Sequence, residues 1–144
     1  LLIPGENDSD AAVAALAGWV AGRLGPAVPL HLTAFHPAGA MSGHPATDPA
    51  RLARARAVAR AEGLVHVYTG NLHDPEGAST WCPGCGRRLI GRDRVALTDW
   101  GLGPDGCCPG CGHALAGRFE PSPGRWGGRR QPVRLDRLDD GTPR

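Results

Sequence analysis

Lysine is missing altogether: all 16 basic residues in the 144-residue chain are arginine. With abundant alanine, this is the mark of drift in a GC-rich bacterial genome, because a need for bidentate recognition would not remove every surface lysine. Aromatic residues are scarce at 5%, and no run of about 18 apolar residues occurs, which excludes a membrane-spanning helix. A chain that is 41% hydrophobic and 21% charged is not disordered throughout, and a net charge of +2 implies no acidic partner. Methionine occurs once, at Met41, and no charged segment followed by an apolar one and a cleavage site precedes the first residues. The expectation is a cytoplasmic protein whose upstream part is missing.

Glycine and proline are plentiful, at 22 and 14 residues, and they punctuate a regular pattern. Leu1 to Ile3 reads as the end of a buried strand. Asp8 and Ser9 offer N-cap oxygens, and Val13, Leu16, Val20 and Leu24 recur at helical intervals, so residues 9–24 are expected to form a helix that stops at Gly25-Pro26. Residues 29–35 alternate in the period of a strand. A loop over 37–47 leads to Asp48-Pro49, which opens a second helix ending near Glu62, with Leu52, Ala55, Val58 and Ala59 on its apolar face and Gly63 placed as a C-terminal cap. Its arginines read as a solvated face. A third strand is expected over 64–69. Strands joined by helical crossovers argue for a parallel sheet, and three such strands are about half of an eight-stranded barrel of roughly 250 residues.

From Ser79 the texture changes. Cys82-Pro-Gly-Cys85-Gly and Cys108-Pro-Gly-Cys111-Gly are two near-identical knuckles separated by 22 residues, close to the spacing of a four-cysteine zinc site. Two thiolate pairs complete a tetrahedral shell and leave no position for water or substrate, so the metal's role is structural. Iron held in the rubredoxin manner uses the same ligands, and a pair of disulfides is the plain alternative. Cys107 is left as a free thiol, and His113 as a turn residue. The expected organisation is a barrel portion over 1–76, a zinc ribbon over 77–117 and a disordered arginine-rich tail over 118–144. The tail holds seven arginines and four acids; it motivates an alternative reading as a ribbon module that binds protein or nucleic acid. Interleaved Asp136, Asp139 and Asp140 and the few aromatics argue against nucleic acid.

In barrel enzymes chemistry sits at the C-terminal ends of the strands. Those ends are Pro4-Gly5-Glu6-Asn7-Asp8, Phe35-His36-Pro37 and Gly70-Asn71. For Asn7 and Asp8 the competing role is capping, for His36 a surface loop, and His31, His66 and Tyr68 read as packing residues.

Leu2-Ile3-Pro4-Gly5-x-Asn7-Asp8-Ser9, then Leu32-x-x-Phe35-His36-Pro37, then Val67-Tyr68-x-Gly70-Asn71, then the double Cys-Pro-Gly-Cys-Gly ribbon, resembles over residues 1 to about 119 the C-terminal half of the AmmeMemoRadiSam system radical SAM enzymes, relatives of the pyruvate formate-lyase activating enzyme. The resemblance implies an α/β fold, the C-terminal part of a partial TIM-type (β/α) barrel followed by a rubredoxin-like zinc ribbon. In the full-length parent it implies a 4Fe-4S cluster that reductively cleaves S-adenosylmethionine to a 5'-deoxyadenosyl radical, and Memo-like and AMMECR-like partner proteins. It places Pro4, Gly5, Asn7, Asp8, His36 and Asn71 on the cofactor side of the barrel. The family's C-x3-C-x2-C cluster motif is absent: Cys107 and Cys111 have the first spacing, but position 114 is alanine. No catalytic residue is therefore expected in this chain, which should be inert by itself. Ala38-Gly39-Ala40 also replaces the family's Asp-Tyr-Lys-like run, and Ala34 stands where an arginine is common.

Overall fold

A computed structural model describes residues 1–124. The expected tail over 118–144 lies mostly outside the described residues. Two segments of parallel pairing and two long helices make up the first part. Helix α1 spans Asp10–Arg23, strand β1 Leu30–Thr33, helix α2 Pro49–Ala61 and strand β2 Val67–Gly70, with a single 3-10 turn over Gly39–Met41 between β1 and α2. β1 and β2 pair in parallel, His31 opposite Tyr68 and Leu32 opposite Thr69. Leu2 adds a parallel bridge to Ala34 at the other edge of β1, its amide donating to the Thr33 carbonyl at 2.9 Å. The three segments therefore lie side by side with β1 in the middle, as helical crossovers require. The sheet does not close among the described residues.

Both helices start on side-chain caps. Ser9 accepts from the Ala12 amide at 3.2 Å, and Asp48 accepts from the Ala50 amide at 2.8 Å ahead of Pro49. Each cap satisfies a donor that the first helical turn leaves without a partner. Alternation along the strands then sends Leu32 and Val67 toward the helices, where they meet Val13, Ala17, Val20, Leu52, Ala55 and Ala59 in one buried cluster with Leu2, Ala34 and Leu64. His31 and Tyr68 point to the other face, away from the cluster of α1 and α2.

The apolar stripe of α1 differs from the sequence reading. Val13 and Val20 are buried, but Leu16 is 48% exposed and Leu24 56% exposed, and Ala17 fills the core position. At about 100° per residue, Leu16 and Ala17 lie about 50° to opposite sides of the line through Val13 and Val20, and the core closes over the Ala17 side. Leu24 is the C-cap, past the last helical residue, and the chain turns away at Gly25 with a φ of 106°. Small alanines at 17, 55 and 59 let α1, α2 and the strands approach closely.

The arginines of α2 are not a uniformly wet face. Arg51 donates to Asp10 Oδ1 at 2.7 Å and to the Asp8 carbonyl, and Arg54 donates to Asp10 Oδ2 through Nε at 3.0 Å and Nη2 at 2.8 Å. These pairs tie the first turn of α2 to the start of α1. Arg56 donates from Nε to the Val67 carbonyl at 2.9 Å, joining α2 to β2.

The second part begins with a short helix α3, Pro75–Ala78, and continues as an antiparallel sheet of β3 Thr80–Trp81, β4 Arg88–Asp93 and β5 Ala96–Trp100. Asp74 caps α3 through the Gly77 amide at 2.9 Å and accepts from Thr69 Oγ1 at 2.7 Å. A Cβ at Gly77 would overlap both of those oxygen-bearing side chains, so glycine is required there. The second buried cluster consists of Cys82, Leu89, Ile90, Leu102, Cys108 and Leu115 and shares no residue with the first.

Two outcomes are expected. Leu52→Ala removes a fully buried side chain and should cost about 2–5 kcal/mol in urea unfolding followed at 222 nm, whereas Leu16→Ala should change stability by no more than about 0.5 kcal/mol. The Arg54 and Arg51 hydrogen bonds hold the Asp10 carboxyl below its ordinary value of 3.8. A depressed carboxyl stabilises the fold above its unfolded pKa and loses that effect as pH falls through the folded one. Asp10→Asn should therefore be less stable than wild type at pH 7, with the difference closing as pH drops below 3.8, as measured by urea titrations across pH.

Candidate metal centre

The two knuckles fold identically. The Cys82 amide donates to the Arg87 carbonyl at 2.8 Å and the Gly86 amide to the Cys82 carbonyl at 2.9 Å; the Cys108 amide donates to the His113 carbonyl at 2.9 Å and the Gly112 amide to the Cys108 carbonyl at 2.8 Å. Gly86 and Gly112 take φ values of 72° and 73°, a left-handed conformation that glycine adopts without cost. The knuckles face one another. Gly84 lies over the opposite turn, where an added Cβ would stand 3.2 Å from Cys111 Sγ and 3.3 Å from His113 Cβ, and Gly110 lies against the Arg87 guanidinium. The Pro-Gly pair in each knuckle thus leaves room for the other.

This arrangement brings the Sγ atoms of Cys82, Cys85, Cys108 and Cys111 within 4.8 Å of one another. The nearest pairs cross between knuckles, Cys82 to Cys111 at 3.5 Å and Cys85 to Cys108 at 3.6 Å. A disulfide needs about 2.05 Å, and none is present among the five cysteines. Thiolates bound tetrahedrally to zinc at about 2.3 Å stand about 3.8 Å apart, so the sulfur cage fits such an ion. Cys82 and Cys108 are buried and the second cysteine of each knuckle is exposed.

The backbone prepares the cage for anionic sulfur. Burial raises the Cys108 thiol, but hydrogen bonds from the Gly110 and Cys111 amides outweigh it and bring the pKa to about 7. At Cys111 the His113 amide acts in the same downward sense, but the nearby Cys82 sulfur and burial push the thiol to about 12. Four sulfurs this close hold several negative charges only with a cation between them, and metal binding is what removes the remaining protons.

Cys107 stands outside the cage. Its amide donates to Asp105 Oδ1 at 3.0 Å and its thiol faces the Asp105 carbonyl, and Asp105 pushes that thiol up. His113 contributes its carbonyl to the second knuckle, and its ring is not part of the sulfur group.

The residues assigned to a cofactor side fall into two groups. His36 Nε2 lies 2.9 Å from the Asn71 carbonyl, and Asn71 Nδ2 donates to the Ala34 carbonyl at 2.9 Å, so the ends of β1 and β2 are pinned together. Asn71 takes a φ of 63° to do this. A cleft of about 690 Å³ opens beside them, shared with Thr33, Leu72 and Arg94. Asn7, Asp8 and Gly5 instead form a local turn. Asn7 Oδ1 accepts from the Ile3 amide at 2.8 Å, Asp8 Oδ1 from the Gly5 amide at 3.0 Å, and Gly5 takes a φ of 82°. Pro4 lies within the same turn, and none of these four lines the cleft.

Sequence reasoning passed over Thr47 and Arg92. Thr47 is buried at the end of the 37–47 loop, donating to the Leu2 carbonyl and accepting from the Phe35 amide, both at 2.7 Å. Arg92 donates from Nη1 to Thr80 Oγ1 at 2.7 Å and lies over the Tyr68 ring at 5.7 Å. A single threonine or arginine in a glycine-rich stretch carries no signal of such contacts.

Cys108→Ser is expected to lose the bound metal and the near-UV signal of the ribbon while keeping the far-UV signal of α1 and α2. Cys107→Ser should retain wild-type metal content. Metal analysis with circular dichroism of both variants tests the assignment.

No family model matches the chain, and no solved structure does. The chain is similar to an uncharacterized protein of Methanocaldococcus jannaschii, with 39% identity over 92 residues. The matched region is 64% of this chain and 28% of that relative, so the chain spans little more than a quarter of the length of the curated relative it matches.

Proposed function

We propose that the four-cysteine centre is a structural zinc site that folds a ribbon onto the C-terminal portion of a radical SAM barrel of the AmmeMemoRadiSam kind. The observation that carries the reading is the asymmetry of the parallel strands. Helices α1 and α2 bury one face, whereas the face bearing His31 and Tyr68 is met by the ribbon, Thr80 on Tyr68 and Arg92 over its ring. In a barrel the crossover helices lie outside the strands and the face turned from them is the interior. The pinned His36 and Asn71 at the strand ends, the cleft beside them and the resemblance of the strand-end motifs support the same reading.

Zinc supplies folding energy here, about 10–16 kcal/mol for closed thiolate sites, and no reactive position. Cys82 and Cys85 hold it from one knuckle, Cys108 and Cys111 from the other. The 4Fe-4S cluster does not fit this chain. A cluster that leaves one iron open needs three further thiolates, and only Cys107 lies outside the sulfur cage. The radical-forming step therefore belongs to the full-length parent, and so do any Memo-like or AMMECR-like partners.

Metal analysis and visible absorption of the anaerobically purified 144-residue chain test the structural half. One zinc per chain and no colour is the expected result, and one iron with thiolate charge-transfer bands would overturn it. For the parent, the coding sequence upstream of Leu1 should continue in frame through a C-x3-C-x2-C motif. A stop codon directly before Leu1 would sink the radical SAM reading and leave the zinc site standing.

A further inference from the structure

A second cavity, of about 390 Å³, lies between the face of β1–β2 that bears His31 and Tyr68 and the ribbon. Its size is within the range of small-molecule sites. The polar part of its wall comes from His31, His66, Tyr68, Thr80, Arg92 and Arg94. Among the described residues no carboxylate lines it and neither Arg92 nor Arg94 forms a salt bridge, although Arg51, Arg54 and Arg88 all do. Two guanidinium groups bordering one hollow without a counter-charge make a site electrostatically suited to an anion.

The site is also built to receive one. Thr80 Oγ1 anchors Arg92 at 2.7 Å and the Tyr68 ring lies beneath its guanidinium at 5.7 Å, so the fork is held before anything binds and little side-chain freedom is lost on binding. Arg94 sits at the turn between β4 and β5 with a φ of 51°, placing a second cation at the opening. Tyr68 and His31 add two further polar side chains from paired strand positions, their ring centroids 5.0 Å apart. Pro29, Ile90, Leu115 and Phe119 supply the apolar part of the wall. Apolar wall and aromatic rings would cover the body of a ligand while the arginines hold its charged end.

We infer that this cavity binds a small organic oxyanion, a carboxylate or phosphate carried on a ring, with Arg92 and Arg94 as the anion-holding residues. The inference needs only the sheet face and a folded ribbon, and stands apart from the identity of the metal and from the radical SAM reading.

Isothermal titration of the metal-loaded 144-residue chain with benzoate and with phenyl phosphate, and with benzyl alcohol as the neutral comparison, tests it. Saturable binding of either anion, weakened about tenfold or more in Arg94→Gln and again in Arg92→Gln, with no binding of benzyl alcohol, is the expected result. The anion that binds more tightly identifies the class of charged group. Arg23→Gln, at the far end of α1, should leave the affinity unchanged. Because Arg92 also anchors Thr80, its variants are checked for metal content and circular dichroism, and Arg94→Gln, at an exposed turn, decides the matter should Arg92→Gln misfold. Absence of binding by both anions, or affinity unchanged in Arg94→Gln, would overturn the inference.

Discussion

Four sulfur atoms meeting at one point organise the described residues from Thr80 onward. The ribbon's buried cluster has six members, and two of them, Cys82 and Cys108, are themselves in the sulfur cage. Leu89, Ile90, Leu102 and Leu115 are too few to offset the conformational entropy of ordering some forty residues at roughly 1–2 kcal/mol each. The cross-link between knuckles fixes the loops that otherwise would have no reason to pack. It also sets the glycine pattern, since Gly84 and Gly110 lie where each turn crosses the other and Gly86 and Gly112 close the turns. Exposed Cys85 and Cys111 cost nothing in burial because their role is met at the sulfur.

The ribbon is not appended loosely to the parallel strands. Thr80 Oγ1 lies 3.0 Å from the Tyr68 hydroxyl and accepts from Arg92 at 2.7 Å, so one side-chain oxygen links β2, β3 and β4. Ser79 Oγ receives the Arg92 amide at 3.2 Å and donates to the Pro75 carbonyl at 2.6 Å, and Trp81 Nε1 donates to the Glu76 carbonyl at 3.0 Å. At the far end of the hairpin His73 Nδ1 lies 3.0 Å from Asp93 Oδ1. These bonds orient the hairpin across the face of the sheet that bears His31 and Tyr68, and the cavity there follows from that placement.

The knuckles were legible because their chemistry is local: a thiolate pair, a proline and a glycine within five residues define the turn wherever it occurs. The order of helices and strands was legible for a similar reason, through caps at Ser9 and Asp48 and alternation at Leu30–Thr33. The missed contacts depend on distant partners. Choosing Leu16 over Ala17 for the buried stripe of α1 follows hydrophobicity, but the two lie on opposite sides of the Val13–Val20 line, and which side the core closes over is set by elements distant in the chain. His36 and Asn71 were expected on one rim, and the structure pins them together, whereas Asn7 and Asp8 close a turn upstream of α1. Spacing along the chain could not separate those two cases, since both are polar residues after a strand.

The absence of lysine, read from composition as genomic drift, has structural consequences at particular positions. Arg51 reaches the Asp10 carboxylate and the Asp8 carbonyl at once, Arg54 grips one carboxylate oxygen through two nitrogens, and Arg56 directs Nε at the Val67 carbonyl. Arg92 lies over the Tyr68 ring at 5.7 Å while donating to Thr80. Each of these contacts uses a planar fork with donors in fixed directions, which an ammonium group does not offer. The fold depends on this geometry where α1 meets α2 and where β4 meets β2. At those positions an arginine-to-lysine replacement keeps the charge but loses contacts that hold two elements together, so the absence of lysine is there a structural constraint.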